Sequence, residues 1–135
     1  MACLDTTILI DLSRRRSPRR PRAAAKMREL LDRDESLVTT RINLAELYVG
    51  IQRSDDPKRE ERIVAATVEG LEILEFDDWA ARLFGETTAY LYQIGQPAGD
   101  MDVLIAAICV ASSEVLVTGN AAHFANVPDL IVETY

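Results

Sequence analysis

The chain has 135 residues, of which 48% are hydrophobic and 27% are charged, as in a globular domain that buries its own core. A formal net charge of −7 argues at first against a nucleic-acid partner, and no apolar stretch approaches the ~20 residues of a transmembrane helix. An acid at position 5 and the arginines that follow do not match a signal peptide, so we expect one cytoplasmic domain spanning residues 1–135.

Short apolar runs alternate with amphipathic patterns along the N-terminal half of the chain. A first strand is predicted at Ala2–Leu4, followed at once by a short helix that ends near Leu12. Prolines break helices, so Arg14–Arg22 is predicted to be a loop. The next predicted helix has Met27, Leu30 and Leu31 inward and ends near Arg33, and a strand follows at Ser36–Thr40. Another helix starts at Asn43, and its inward side chains are Leu44, Leu47, Tyr48 and Ile51. A further helix has one apolar face, formed by Ile63, Val64, Thr67, Val68 and Leu71.

The same alternation continues to the C-terminus. A third strand is predicted at Leu71–Phe76, and Asp77 or Asp78 caps a helix that runs to about Ile94. The remaining predicted elements are a loop marked by Gly95, Pro97 and Gly99, an apolar helix from near Asp102, and strands at Val115–Thr118 and Leu130–Thr134. Apolar strands that alternate with helices predict an α/β fold, in which helices flank both faces of a mostly parallel five-stranded sheet.

Carboxylates occur at related positions in three of these elements. Asp5 closes the first strand, Glu46 is predicted in the first turn of the helix after the second strand, and Asp100 and Asp102 start the helix before the fourth. Ligands of open parallel sheets bind outside the carboxyl ends of the strands, so these acids are expected to converge. Converging carboxylates repel each other unless a cation lies between them. An all-oxygen site of this kind suits Mg²⁺ or Mn²⁺.

Each acid also has an ordinary structural explanation. Glu46 completes a capping box in the stretch "NLAE", and an acid at position 100 or 102 suits the first turn of a helix. Asp5 could form an Asx turn into the next helix. The cysteines, Cys3 and Cys109, are read as reduced core thiols because they have no metal-ligand spacing.

One segment is intensely basic. The stretch "RRRSPRRPR" holds six of the 15 basic residues of an otherwise acidic chain. It either contacts the phosphates of a nucleic acid, through Arg15, Arg16, Arg19 and Arg20, or is a solvated, partly disordered linker.

Two other classes with acids or phosphate sites at strand ends fit poorly. A phosphoacceptor receiver domain needs a lysine after its last strands, but the only lysines are Lys26 and Lys58. Neither glycine-rich nucleotide-binding motif is present. The only histidine, His123, has apolar neighbours in "AAHF" and is interpreted as a structural residue or a helix-start contact, with a phosphate contact as the alternative.

Four stretches carry a resemblance to a known family. In their order and spacing, "LDTTILIDL", "INLAELYVG", "GDMDVLIAAICVA" and "VLVTGNAAHF" resemble the PIN-domain ribonucleases, and most closely the toxins of VapBC-type toxin–antitoxin pairs. The resemblance covers essentially the whole chain. It implies a PIN-like three-layer fold, Mg²⁺-dependent hydrolysis of RNA, inhibition by a cognate antitoxin protein, and a homodimer. It also implies that Asp5, Glu46 and Asp102 bind the metal and are catalytic, with Asp100 as a further metal ligand.

The motifs depart from the family in two places. Asn120 stands where the family often has a fourth acid, and Thr7 replaces a common asparagine. We expect Asn120 and Thr6 to be auxiliary site residues. An alternative function is a catalytically decayed RNA- or partner-binding module, which Asn120 favours and the intact acids oppose.

Overall fold

The fold of residues 1–135, described from a computed structural model, is built on one sheet of five parallel strands. Their order across the sheet is β3-β2-β1-β4-β5, with β1 in the centre. The strands are β1 (Ala2–Leu4), β2 (Leu37–Thr40), β3 (Glu72–Leu74), β4 (Val115–Val117) and β5 (Val132–Glu133).

Six α-helices connect and cover the strands, and a 3₁₀ helix (Ala121–Phe124) follows β4. No helix is both long enough and apolar enough to span a lipid bilayer. The helices are α1 (Thr6–Ser13), α2 (Arg20–Asp32), α3 (Arg41–Gln52), α4 (Pro57–Val68), α5 (Asp78–Gln93) and α6 (Asp100–Ala111).

The central strand contributes to a hydrophobic core on each face of the sheet. Successive side chains of a strand point to opposite faces, so Ala2 and Leu4 join one core and Cys3 joins the other. The first core includes buried side chains of α1 to α4, and the second includes those of α6, among them Cys109. Helices on both faces of a parallel sheet confirm the predicted α/β fold.

The order of the strands changes direction at β1, which makes the carboxyl end of this strand a topological switch point. β2 pairs with β1 on one side, and β4 pairs with it on the other side. Asp5 follows β1, Thr118 follows β4, and Thr40 ends β2. The crevice expected at such a point is therefore bordered by polar side chains from three neighbouring strands.

The extent of the basic loop was predicted wrongly. Helix α2 begins at Arg20, so the loop covers only residues 14–19 of the predicted Arg14–Arg22. Pro21 lies in the first helical turn, where a missing backbone N–H costs no hydrogen bond, so it starts the helix and does not break it.

Two predicted core positions and one predicted helix position were wrong as well. Tyr48 is 53% exposed and Leu31 is 58% exposed. Each lies one residue, about 100° of helical rotation, beyond a buried neighbour, Leu47 or Leu30. Leu71 lies beyond the end of α4, in the connection to β3.

Candidate active site

Asp5 is a buried carboxylate that is held by three hydrogen-bond donors. It is 5% exposed, and although it occupies the N-cap position of α1 its side chain makes no capping bond. Its Oδ1 accepts a 2.8 Å hydrogen bond from Asn43 Nδ2, and its Oδ2 accepts bonds from Thr118 Oγ1 at 2.6 Å and Thr7 Oγ1 at 3.2 Å. The Asx-turn explanation is therefore wrong, because long-range donors hold this side chain.

Asn43 links the anchors of Asp5 to Glu46. Its Nδ2 also donates to Thr6 Oγ1 at 3.0 Å, and Thr6 Oγ1 donates to Glu46 Oε1 at 2.7 Å. Helix α3 is capped by a box formed between Thr40 and Asn43, three residues earlier than predicted. Glu46 consequently lies in the second turn, and the prediction that it completes a capping box in "NLAE" was wrong.

The two acids of α6 have different surroundings. The helix begins at Asp100, two residues before the predicted start, and its N-cap Gly99 has no side chain. Asp100 is exposed and makes no side-chain hydrogen bond, whereas Asp102 is 29% exposed and its Oδ2 lies 3.2 Å from His123 Nδ1. His123, 57% exposed, therefore contacts an acid at a helix start and is not a core residue.

Burial and neighbouring charges raise the pKa values of two of the acids, Glu46 and Asp102. Burial raises the pKa of Glu46, and the charges of Asp5 and Asp102 add to this effect, while the hydrogen bond from Thr6 opposes it. Burial also raises the pKa of Asp102, with a further contribution from Asp5 and an opposing one from His123. Glu46 and Asp102 thus lie where negative charge is unfavourable, and Asp5 is near enough to both to contribute to that effect.

This donor set fits a hard divalent cation that keeps part of its water shell. No three His, Cys, Asp or Glu side chains lie close enough together to hold a metal ion by themselves. Mg²⁺, however, usually binds through one or two carboxylates and several waters. Glu46 Oε2 and Asp102 Oδ1 accept no hydrogen bond, and Asp5 Oδ1 accepts only one, so each side chain retains lone pairs for a cation.

The predicted auxiliary residues differ in their contacts. The Thr6 hydroxyl lies between Asn43 and Glu46 and is hydrogen-bonded to both. The Asn120 side chain makes no hydrogen bond, and its backbone N–H donates to Thr118 Oγ1 at 3.0 Å. After β4 it is therefore Thr118, not Asn120, that contacts Asp5.

The structure separates the four predicted RNA-binding arginines. Arg19 lies beside Gly119, which follows β4. The Nη1 atom of Arg19 is 3.2 Å from the position that a Cβ atom would take on Gly119. Arg15 and Arg20 line a separate small cavity that none of the four acids lines, and Arg16 is exposed. None of the four forms an ion pair.

Two arginines that were not predicted line a cavity together with Glu46. Arg14 follows α1 and Arg53 follows α3, and both line a cavity of about 600 Å³ together with Thr6 and Glu46. Neither arginine forms an ion pair, although two carboxylates, those of residues 55 and 60, also line this cavity. Arg14 belongs to the basic run, but no sequence signal marks Arg53.

Asn43 and Thr118 were also missed as site residues. A polar residue directly after an apolar strand, as at Thr118, was the available signal. Asn43 was interpreted only as a helix start.

Comparison with known proteins places the chain in a family. The PIN domain matches residues 2–130. The chain is 32% identical to ribonuclease VapC2 of Rickettsia felis over 107 residues, which cover 79% of this chain and 80% of the relative. It is 33% identical to the tRNA(fMet)-specific endonuclease VapC of Salmonella typhimurium over 94 residues, 70% and 71% of the two chains.

A solved structure gives the same result for the fold. A crystal structure of VapBC2 from Rickettsia felis, bound to a DNA fragment from its promoter, superposes with a TM-score of 0.88 at 28% identity and covers 99% of this chain and 98% of that chain. A parallel sheet with acids at its switch point and a match over nearly the whole length agree with the resemblance of the motifs: the chain belongs to the PIN-domain family, as a protein of the VapC ribonuclease type.

Proposed function

We propose that this chain is a Mg²⁺-dependent endoribonuclease and acts as the toxin of a VapBC-type toxin–antitoxin pair. The observation that carries the proposal is the buried carboxylate of Asp5, anchored by Asn43 and Thr118 at the switch point of the sheet. Glu46 and Asp102 share its electrostatic surroundings. The nuclease names of the relatives support the same activity.

Asp5, Glu46 and Asp102 would hold the ion, Mg²⁺ or Mn²⁺, with Asp100 as a further acid at the same helix start. A bound ion of this type lowers the pKa of a coordinated water and offsets negative charge on a phosphodiester. The contribution of the chain is to fix the acids. Asn43 and Thr118 hold Asp5, and Thr6 orients Glu46 by donating to one of its oxygens.

RNA binding would draw on the cations beside these acids. Arg14 and Arg53 lie in the cavity that Glu46 lines, and Arg19 lies beside Gly119. An acidic protein can bind RNA in this way because phosphate contacts depend on local positive charge.

The partners are proposed on separate grounds. Solved structures similar to this chain include VapBC assemblies from Rickettsia felis and Salmonella typhimurium, each at 28% identity, which supports a cognate antitoxin. Large exposed apolar side chains on α5, among them Trp79, Tyr90 and Tyr92, support a homodimer. An RNA substrate and two buried, unpaired cysteines support a cytoplasmic location.

The test compares wild-type protein with Asp5→Asn and Asp34→Asn in cleavage of RNA, with Mg²⁺ and with EDTA. Asp34 is an exposed acid before β2 with a positive φ of 58°, a conformation that asparagine adopts readily, so it controls for loss of one negative charge. We expect Asp5→Asn to fold, because the hydroxyls of Thr118 and Thr7 can accept hydrogen bonds as well as donate them. Cleavage should require Mg²⁺ or Mn²⁺, disappear in Asp5→Asn and persist in Asp34→Asn.

Retained cleavage by purified Asp5→Asn protein would contradict the proposal. A wild-type protein that binds RNA but cleaves none under any metal condition would favour the alternative, a decayed binding module.

A further inference from the structure

A second cavity opens on the Asp102 side of the site. Its volume is about 440 Å³, within the range of small-ligand sites. It lies between the loop that precedes α6 and the segment after β4, and it is lined from these segments by Gln96, Asn126 and His123. The cavity thus begins at an acid that we assign to the cleavage site.

The lining suits an uncharged ring with polar edges. Leu91 and Val127, both buried, contribute apolar surface. The side-chain amides of Gln96 and Asn126 form no hydrogen bond within the chain, so each offers both a donor and an acceptor. Asp102 is the only carboxylate in the lining, and no lysine or arginine is present. A phosphate would therefore meet a carboxylate and no lysine or arginine here, in contrast to the cavity of Arg14 and Arg53.

The backbone that carries the two amides is held in place. The Gln96 N–H donates to the Leu91 carbonyl at 2.9 Å, and the Val127 N–H donates to the Phe124 carbonyl at 3.2 Å. A fixed backbone lets short polar side chains select among ligands, because little ordering is needed on binding.

These features match how proteins read single-stranded RNA. Unstacked bases insert into apolar clefts and are distinguished by hydrogen bonds to their edges, and Asn and Gln amides supply a donor and an acceptor in one plane. The contact between His123 Nδ1 and Asp102 Oδ2, 3.2 Å, connects the cavity directly with the acids.

We propose that this cavity binds the base of a nucleotide that flanks the cleaved phosphodiester, and that Gln96 and Asn126 determine which base is preferred. The inference rests on the proposed ribonuclease function and adds to it the residues that select the sequence.

The test measures cleavage of short single-stranded RNAs in which the bases on either side of the cleaved bond are varied one at a time. Wild-type protein should prefer one base at one flanking position by about tenfold or more. Gln96→Ala and Asn126→Ala should each reduce this preference several-fold, mainly by slowing cleavage of the preferred RNA. Gln93→Ala is the matched control, because Gln93 is an exposed amide of α5 outside the cavity lining, and it should keep the wild-type preference.

An unchanged base preference in both alanine variants overturns the inference, as does an equal loss of rate on all four bases, which indicates a structural role. In one outcome the wild type cleaves RNA and Asp5→Asn does not, while Gln96→Ala and Asn126→Ala keep the wild-type base preference. In that case only this inference fails, and the proposed function stands. If the wild type cleaves no RNA at all, the proposed function fails with it.

Discussion

Burial of the Asp5 carboxylate costs free energy of folding, and hydrogen bonds from neighbouring side chains offset this cost. A buried carboxylate without partners loses much of its hydration energy, which is a penalty of several kcal/mol in proteins. Here Asn43, Thr118 and Thr7 donate three hydrogen bonds to it. These donors hold the carboxylate in one orientation, as the proposed metal ligand requires.

For Glu46, a role in capping α3 and a role as a metal ligand lead to different expected results. Because the α3 cap is formed by Thr40 and Asn43, Glu46 has no capping role to lose. Glu46→Gln keeps an acceptor for Thr6 Oγ1 and removes repulsion from Asp5 and Asp102. We expect an unchanged or slightly higher melting temperature and a loss of cleavage of about 100-fold or more. Thermal unfolding and single-turnover cleavage measure the two effects, and normal cleavage would remove Glu46 from the site.

Asp102 and Asp100 are a natural pair for comparison, since they lie two residues apart on α6. Asp102 is half-buried beside His123, with a pKa raised chiefly by burial, whereas Asp100 is exposed without a contact. We expect Asp102→Asn to abolish cleavage as fully as Asp5→Asn does, and Asp100→Asn to reduce it by no more than about tenfold. Measured cleavage rates in the opposite order would mean that Asp100 is the ligand.

At the scale of elements, the basic segment divides into parts with different surroundings. Arg14 lies at the end of α1 and Arg53 at the end of α3, so two helix ends bring cations to the cavity lined by Glu46. Arg15 and Arg20 instead line a cavity at the start of α2. Membership of one basic run therefore does not imply one function.

This division predicts a difference in salt dependence. Arg14→Ser with Arg53→Ser should weaken RNA binding and reduce the slope of log affinity against log salt by about 0.7 for each phosphate that the protein no longer neutralises. Arg15→Ser with Arg20→Ser is the matched control and should change the slope less. Fluorescence anisotropy of a short labelled RNA, in an Asp5→Asn background that prevents cleavage, provides the measurement. Equal changes in both double variants would show that these four arginines act only through the total charge of the protein.

At the scale of the whole molecule, the side chains that we propose as ligands lie at one end of the sheet. The opposite end carries structural ion pairs, such as those of the N-terminal amine with Glu35 and Glu114. Binding at the carboxyl end need not disturb these ion pairs, so a ligand there should stabilise the native state without changing its fold.

Metal binding should therefore appear as a gain in stability. A ligand present at ten times its Kd adds about 1.4 kcal/mol to the free energy of unfolding, or roughly 4–6 °C in the Tm of a chain of this size. We expect Mg²⁺ or Mn²⁺ to raise the Tm of wild-type protein, and KCl of equal ionic strength to leave it unchanged. Asp5→Asn should lose the metal-dependent increase. A similar increase in that variant would show that the ion binds elsewhere.

The sequence by itself determined the alternation of strands and helices and the place of Asp5 directly after β1, because apolar periodicity and strand ends depend on near neighbours in the chain. The bounds predicted for β1 are those observed. The start of α3 was misplaced, because a capped helix begins where a side chain accepts a hydrogen bond from its first free N–H groups, and in α3 that side chain is the hydroxyl of Thr40. Only the tertiary structure decided that Asn43 and Thr118 anchor Asp5, that Arg53 joins Arg14, and that a cavity adjoins Asp102. The two anchoring hydrogen bonds join residues 38 or more positions apart, and they exist only once the strand order brings the ends of β1, β2 and β4 together.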